Sequence, residues 1–289
     1  MSRTCKKNGS KRIITGHDNC VYTSKNKMRS GTYTGHFKNG KYDGKGKYVW
    51  KHDGSTYLGE WKDNLFDGKG TFRGADGQIL GKNWKKNKMT GPGKRIYLVE
   101  DPDSKPMTQI ESGTYKNGDL NGKCKMVFYN GVFDGVCKND ARTRGTYKYK
   151  NGMSVSGKWK KTNQYGKCKI QYSDGVIYEG EATKGIPSGM GKYTWKDGTI
   201  IRGSWREDPN YLHGKCNIEY PSGSKYAGEC KDSEPNGEGI LRKKDGAVLS
   251  GLWKNSFLNG YCTIKDKKGT YRGLCKNDKP VSKTIKNKK

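Results

Sequence analysis

The residues of this 289-residue chain with the clearest capacity for covalent chemistry are its nine cysteines. Six of them form three pairs, each placed about symmetrically around a sequence typical of a turn. These pairs are Cys124 with Cys137, Cys216 with Cys230, and Cys262 with Cys275. Opposed residues of antiparallel strands have Cα atoms near disulfide distance, so each pair predicts a cross-strand disulfide or two buried thiols. Because disulfides seldom persist in the cytosol, we favour the thiols there.

Motifs for metal binding and catalysis are weak. Cys5, His17 and Cys20, with His36 as a fourth ligand, come nearest to a metal site, but their spacing fits no standard zinc pattern. The chain has only four histidines, and none accompanies a nucleophile or paired carboxylates. The Gly-x-Gly pairs lack the residues that complete a phosphate-binding loop. We therefore expect no catalytic residue, no metal, no cofactor and no enzymatic activity.

The strongest binding signal is charge, since 58 basic residues oppose 28 acidic ones and give a net charge of +30. Such an excess favours an acidic surface as partner: nucleic acid, anionic lipid or acidic protein. The alternative is a lysine face that serves solubility alone. Because side chains alternate along a strand, we predict that one face carries a ladder of polyanion-facing lysines. They are Lys45, Lys47, Lys69, Lys123, Lys125, Lys167, Lys169, Lys192 and Lys215.

The elements that position these residues are tandem repeats with a period of about 23 residues. The skeleton is Tyr-x-Gly-x-Trp, as in Tyr57-Leu-Gly-Glu-Trp61, followed by Gly68-x-Gly70 and the turn sequence Asp76-Gly77. Eleven copies can be followed along the chain, the last of them a half copy. Asp-Gly and Asn-Gly are strong β-hairpin signals, so the pattern predicts one hairpin per repeat.

Folding the sequence about each turn predicts which residues oppose each other. About Asp53-Gly54, Gly46 falls opposite Trp61, so the indole would cover the bare backbone of a strand glycine. The same arithmetic pairs Gly70 with Trp84, Gly145 with Trp159, Gly191 with Trp205, and Gly239 with Trp253. In other hairpins the two cysteines of each pair named above fall opposite each other, and in one hairpin Cys168 falls opposite Ala182. The unit from about residue 111 onward is therefore a doublet of about 46 residues, alternating between Gly–Trp and Cys–Cys hairpins.

This skeleton closely resembles the MORN repeat (membrane occupation and recognition nexus) over residues 31 to about 279. The resemblance implies an all-β fold, an elongated single-layer antiparallel sheet of tandem β-hairpins. It also implies a non-catalytic scaffold, adaptor or membrane-apposition role. Members of the family are common in protists and in the large DNA viruses that infect them.

The repeats also predict the organisation of the chain. Residues 1–30 read as a degenerate terminal repeat, 31–97 as repeats, 98–110 as an inserted acidic loop with prolines, 111–279 as repeat doublets and 280–289 as a basic tail. No signal peptide or transmembrane stretch is visible, so we expect an intracellular protein, cytoplasmic, membrane-peripheral or packaged in a virus particle.

The leading functional hypothesis is a structural component of a large assembly, a virion or a cytoskeletal or membrane-apposed structure. It would contact other proteins and polyanions, with self-association through sheet edges or terminal repeats. One alternative is a peripheral membrane adaptor for anionic phospholipids. Another is a nonspecific nucleic-acid packaging protein.

Overall fold

A computed structural model describes residues 16–23, 30–99, 107–206 and 212–281 of the chain. Every regular element within these ranges is a β-strand, which confirms the all-β prediction. The chain divides into two compact units, Met1–Tyr147 and Lys148–Lys289, a division that the repeat pattern did not predict.

In the first unit the strands are β1 (Gly16–Thr23), β2 (Gly31–Lys38), β3 (Lys41–Trp50), β4 (Thr56–Lys62), β5 (Leu65–Arg73), β6 (Ile79–Lys85), β7 (Lys88–Met89), β8 (Gly91–Val99), β9 (Met107–Lys116), β10 (Asp119–Phe128) and β11 (Gly131–Lys138). Strand β12 (Ala141–Tyr149) crosses the boundary between the units. The second unit contains β13 (Ser154–Lys161), β14 (Asn163–Gln171), β15 (Ile177–Thr183), β16 (Ile186–Thr194), β17 (Ile200–Trp205), β18 (Leu212–Glu219), β19 (Lys225–Lys231), β20 (Glu234–Arg242), β21 (Val248–Lys254), β22 (Phe257–Asp266), β23 (Gly269–Lys276) and β24 (Lys279–Pro280).

Strands that follow one another in sequence pair antiparallel, as tandem hairpins require. In the first unit the pairing runs from β1 to β6, continues from β6 to both β7 and β8, and then from β8 to β11. In the second unit it runs without interruption from β13 to β24. Each unit is therefore an open, single-layer antiparallel sheet.

The register of the Gly–Trp hairpins differs by two residues from the prediction. The Cα partner of Trp61 is Gly44, and that of Gly46 is Gly59. Trp84, Trp205 and Trp253 likewise lie opposite Gly68, Gly189 and Gly237, not opposite the predicted Gly70, Gly191 and Gly239. The remaining predicted pair, Gly145 and Trp159, has one member in each unit and stays a prediction.

The turn explains the shift. In the β14–β15 hairpin the Gly175 N–H donates to the Tyr172 carbonyl at 3.1 Å, and the Tyr172 N–H donates to the Val176 carbonyl at 2.9 Å. The loop therefore has three residues, with Gly175 in the left-handed conformation at φ 92°. The axis of the hairpin passes through Asp174, whose Oδ1 accepts the Val176 N–H at 3.0 Å. A two-residue Asp174-Gly175 turn would have placed the axis between these two residues, and the predicted pairing of Cys168 with Ala182 would have placed it at Gly175, one residue later.

The indoles still reach the predicted glycines, but by hydrogen bonding. The Nε1–H of Trp61 donates to the carbonyl oxygen of Gly46 at 3.1 Å. The Trp84, Trp205 and Trp253 indoles make the same bond to Gly70, Gly191 and Gly239 at 2.9, 3.2 and 2.9 Å. Each of these four indoles thus donates its only N–H to the backbone of the neighbouring strand.

Tyrosines, not tryptophans, lie over the strand glycines. Tyr57 is fully buried, and a methyl group placed on Gly70 would lie 2.2 Å from its hydroxyl oxygen. Gly59 and Gly70 are direct cross-strand partners, so the ring fills the trough that two opposed glycines leave. The hydroxyl donates to the carbonyl oxygen of Glu60 at 3.1 Å. Tyr33, Tyr178 and Tyr226 are buried over glycines in the same way.

The cysteine pairs are diagonal neighbours because of the same shift. Cys124 lies opposite Gly135, and Cys137 opposite Gly122, so the predicted direct opposition is wrong. The other two pairs repeat this offset. The structure nonetheless joins Cys124 to Cys137, Cys216 to Cys230 and Cys262 to Cys275 as disulfides, each with Cα atoms 5.9 Å apart.

The doublet of the second unit extends to two further positions. In the hairpins with tryptophan, Trp205 and Trp253 lie opposite Leu212 and Leu258. In the other hairpins, Ala182, Cys230 and Cys275 lie opposite Pro187, Pro235 and Pro280. The residue four before the Trp is aliphatic (Val155, Ile201 or Leu249), whereas four before the Ala or Cys it is Tyr178, Tyr226 or Tyr271. Four positions of the repeat therefore alternate together between the two kinds of hairpin: the Trp or Cys, its predicted Gly or Cys partner, the Leu or Pro opposite it, and the aliphatic residue or Tyr four residues before it.

The predicted loop at 98–110 is shorter in the structure. Leu98 pairs with Thr108 and Val99 with Met107, so both ends of the segment belong to strands β8 and β9. Residues 100–106 lie outside the described residues, as do most of the predicted terminal repeat 1–30 and residues 282–289 of the tail.

Candidate functional site

Alternation along each strand separates a buried face from an exposed face rich in lysine, here called the lysine face. In β3, Gly46 and Tyr48 are buried, whereas Lys45 and Lys47 between them are exposed. Eight of the nine predicted lysines are exposed in this manner: Lys45, Lys47, Lys69, Lys123, Lys125, Lys167, Lys169 and Lys215. The ninth, Lys192, is half-buried, because its Nζ lies 2.6 Å from Glu179 Oε2.

Glutamates interrupt the lysine face at regular positions, which the sequence pattern did not lead us to expect. Glu60, Glu181 and Glu229 are the direct cross-strand partners of Lys45, Lys167 and Lys215. Each stands between the Gly and the Trp, Ala or Cys of its repeat, so the motif itself contained the signal. Lys169, at 4.0 Å, and Lys192 both flank Glu179, and the hydrogen bond from Lys192 lowers the pKa of this carboxyl.

Other lysines of this face have neutral partners. Lys47 lies between Thr34 and Leu58, and Lys123 lies opposite Val136. Their ammonium groups are exposed and are not offset by the residues opposite them. The capacity to attract an anion is therefore concentrated at such positions and is not uniform along the ladder.

The cysteines occupy the opposite, buried face. Cys168 is free, and it lies in the hairpin where Ala182 replaces a second cysteine. Burial raises the pKa of its thiol to about 11, so it remains protonated near neutral pH and is a poor nucleophile. The thiol is therefore no candidate for catalysis.

A polar cluster replaces part of the aromatic row where β8 and β9 pair. Arg95 and Glu111 are cross-strand partners on the buried face, at positions comparable to those of Phe72 and Tyr57 in β5 and β4. The Arg95 guanidinium lies 4.8 Å from the centre of the Tyr115 ring, and its Nη1 lies 3.0 Å from Asp140 Oδ1 and 3.7 Å from Glu111 Oε2.

Two further side chains donate hydrogen bonds to the Glu111 carboxylate. Its oxygens accept hydrogen bonds from the Tyr97 hydroxyl at 3.4 Å and from Gln109 Nε2 at 3.2 Å. Burial raises the pKa of Glu111, and Arg95 opposes that shift. Since these charges pair with one another, the contacts of the cluster point to no ligand. Glu111 stands two residues before Gly113, where other repeats have an aromatic or aliphatic residue such as Tyr57 or Val155. This departure from the repeat pattern was the available signal in the sequence.

No group of three or more potential metal-ligating side chains occurs among residues 16–23, 30–99, 107–206 and 212–281. His36, the predicted fourth ligand, lies in β2, whereas Cys5 lies outside the described ranges. The part of the chain that the structure describes also contains no helix long and apolar enough to cross a membrane.

The fold and the repeated Gly, Tyr and Trp contacts define a protein built of tandem β-hairpin repeats. The sequence model of the MORN repeat matches residues 33–51, 57–79, 83–97, 112–133, 178–200, 226–248 and 250–271, just over half of the chain. The chain therefore belongs to the MORN-repeat family. The seven matched segments are fewer than the eleven copies that the sequence pattern predicts, several of which have cysteine in place of tryptophan. No curated protein matches the sequence.

Proposed function

We propose that this protein is a non-catalytic scaffold of a large intracellular or virion assembly, and that its lysine face holds an acidic surface. Exposed lysines such as Lys47 and Lys123, with neutral cross-strand partners, carry the proposal. The net charge of +30 supports it, since a long-range positive potential steers anionic partners to the protein. Membership of the MORN-repeat family supports a non-enzymatic repeat protein. Nucleic acid, anionic lipid and acidic protein are all polyanions, and a polyanion is the class of partner that we propose.

The salt dependence of binding tests the proposal. We would measure the affinity of the full chain for duplex DNA and for vesicles of phosphatidylserine and phosphatidylcholine over a range of salt concentrations. Lys94 is exposed on the same face and lies between the neutral residues Gly81 and Ser112. Replacing Lys47, Lys94 and Lys123 by Gln should lower the slope of log affinity against log salt for DNA by about 2.7, if all three contact phosphates.

Three turn lysines provide a matched control, since Lys51, Lys86 and Lys196 are also exposed but lie in turns. Their replacement by Gln changes the net charge by the same amount, so only the location of the charge differs. Equal losses in both triple variants would show that total charge, and not the lysine face, determines binding.

The same assay separates the two alternatives. Vesicle binding at physiological salt without a DNA shift would favour a peripheral membrane adaptor, and the reverse would favour nucleic-acid packaging. Binding to neither would overturn the proposal of a polyanion-holding scaffold.

A further inference from the structure

The last described strands of the second unit make up only part of a doublet. Strand β23, which contains Tyr271-x-Gly273-x-Cys275, pairs with β22 along its whole length. On its other side only Lys279 and Pro280 pair with it, and the Val281 N–H donates to the Leu274 carbonyl at 2.8 Å. Within the described residues, nothing pairs with β23 from Gly269 to Gly273 on that side. These backbone groups form the open edge.

Two other strands show what such a strand normally receives. Strands β15 and β19 share the Tyr-x-Gly pattern of β23, and each is followed by a strand with two glycines. Gly180 lies opposite Gly191, and Gly228 opposite Gly239. A methyl group on Gly239 would lie 2.2 Å from the Tyr226 hydroxyl oxygen. A strand added beside Tyr271 and Gly273 therefore requires glycine at the equivalent position.

The sequence that follows β24 does not supply this pattern. Pro280 corresponds to Pro235, because both lie opposite the cysteine of the preceding strand. Counting on from Pro235 reaches Gly237 and Gly239, whereas counting on from Pro280 reaches Ser282 and Thr284. Positions 282 and 284 therefore do not carry the two glycines that β20 places beside Tyr226 and Gly228.

The lysine face also changes character beside the open edge. Tyr261 and Leu274 are cross-strand partners, and they stand where the preceding doublet has Lys215 and Glu229. Tyr261 is 75% exposed and Leu274 is 52% exposed. A lysine and a glutamate have thus been replaced by an exposed apolar pair in the last described repeat, a place where repeat proteins ordinarily carry a polar surface.

We propose that the open edge of β23 binds an extended segment of another protein as an added antiparallel strand. The segment would carry Gly-x-Gly, with an apolar residue between the glycines to pack on Leu274. An acidic residue directly after the second glycine would face Arg272, as Ile240 faces Ala227 in the equivalent hairpin. Backbone hydrogen bonds supply the affinity and the alternate side chains supply the specificity. A lipid surface could not pair with these backbone groups.

A peptide derived from β20 tests the proposal. The probe has the sequence of residues 234–242 with Glu238→Leu and Ile240→Asp, and carries a fluorescent label for anisotropy measurements with the full chain. The control peptide adds Gly239→Val, which keeps its net charge. We expect the control to bind at least tenfold more weakly. Equal binding of both peptides would overturn the proposal. The lysine face cannot produce the difference, so this result is independent of the polyanion assay.

The site on the protein is tested with Arg272→Pro. The Leu274 carbonyl points to the open edge, and alternate residues of a strand point the same way, so Arg272 directs its N–H there. Proline removes that donor and is tolerated on edge strands. Loss of peptide binding with an unchanged circular dichroism spectrum and urea midpoint is expected, and retained binding contradicts the site.

Tyr261→Lys provides a second variant if the proline disrupts folding. It leaves the backbone of the edge intact and restores a residue type found elsewhere in that position, so weaker peptide binding is expected from the lost apolar contact. Sedimentation velocity tests whether a second copy of this chain occupies the open edge. A dimer that Arg272→Pro dissociates would show that a second copy fills the edge, which would refute the assignment to a different protein.

Discussion

The hairpin that contains Cys168 without a second cysteine should accept an engineered disulfide. In the three disulfide hairpins the second cysteine lies opposite a glycine, as Cys137 lies opposite Gly122. Ala182 lies opposite Gly166 in the same register and is buried, and Cys168 occupies the position of the first cysteine. Ala182→Cys should therefore form a fourth disulfide with Cys168. Closing a loop of this length in the unfolded chain stabilises the folded state by about 3 kcal/mol in the chain-entropy model.

The assay combines mass spectrometry with urea unfolding. After mild oxidation the variant should lose two hydrogens, and a Lys-C digest without reductant should keep the peptides of residues 168 and 182 linked. The urea midpoint should rise on oxidation and fall again when dithiothreitol is added. Because repeat arrays unfold in parts, the part of the transition that includes this hairpin should move most.

Thr183→Cys is the matched control, since Thr183 is exposed and lies opposite Tyr165 on the other face of the strand. It should form no bond with Cys168. Two free thiols in the oxidised Ala182→Cys variant, or a link to another cysteine, would refute the register on which the prediction depends.

Four further outcomes follow from contacts in the sheet. Gly70→Ala should lower the free energy of unfolding by about 1–3 kcal/mol, because the methyl group overlaps Tyr57; an unchanged urea midpoint would contradict this. Gln164→Leu should raise it by about 1 kcal/mol, since the buried Oε1 lacks a hydrogen-bond partner, and a loss of stability on urea unfolding would argue against it. The Cys168 thiol should react with DTNB at pH 8 only after unfolding, because burial raises its pKa to about 11; rapid reaction in the folded protein would disprove its burial. Burial raises the pKa of Glu111, so its contribution to stability is present below the unfolded value of about 4.3 and is lost as pH rises through the folded value. Glu111→Gln should flatten that decline in urea unfolding at a series of pH values, and an identical pH profile would exclude the effect.

The hairpin array and the choice of cysteine partners were accessible from the sequence. Both depend on which residues lie near the same turn, and repetition along the chain makes that inference robust. Alternation along β3 similarly identified Lys45 and Lys47 as outward-facing. Such properties survive a small error in register, because a shift of two residues leaves every side chain on the same face.

The register itself was not accessible, because Asp-Gly is compatible with two kinds of turn. A two-residue turn and a three-residue loop with glycine in the left-handed position have the same sequence signature. In the structure Asp174 accepts the Val176 N–H, which selects the three-residue loop. The sequence pattern therefore placed tryptophans over glycines that in fact lie beneath tyrosines.

The cluster of Arg95, Glu111 and Asp140 was missed for a different reason. Asp140 is 45 residues from Arg95 in sequence, and the contact depends on an arginine crossing the Tyr115 ring to the turn after β11. Periodicity reports which residues share a face, but it does not report how a long side chain crosses neighbouring strands.

The proposed function requires that the lysine face, and not net charge alone, holds the acidic partner. Amine acetylation followed by mass spectrometry, with and without saturating duplex DNA or phosphatidylserine vesicles, measures which lysines the partner covers. We predict that Lys47, Lys94 and Lys123 lose reactivity in the complex while the exposed turn lysines Lys51, Lys86 and Lys196 keep theirs. Protection of the turn lysines to the same degree would contradict the assignment of binding to the lysine face.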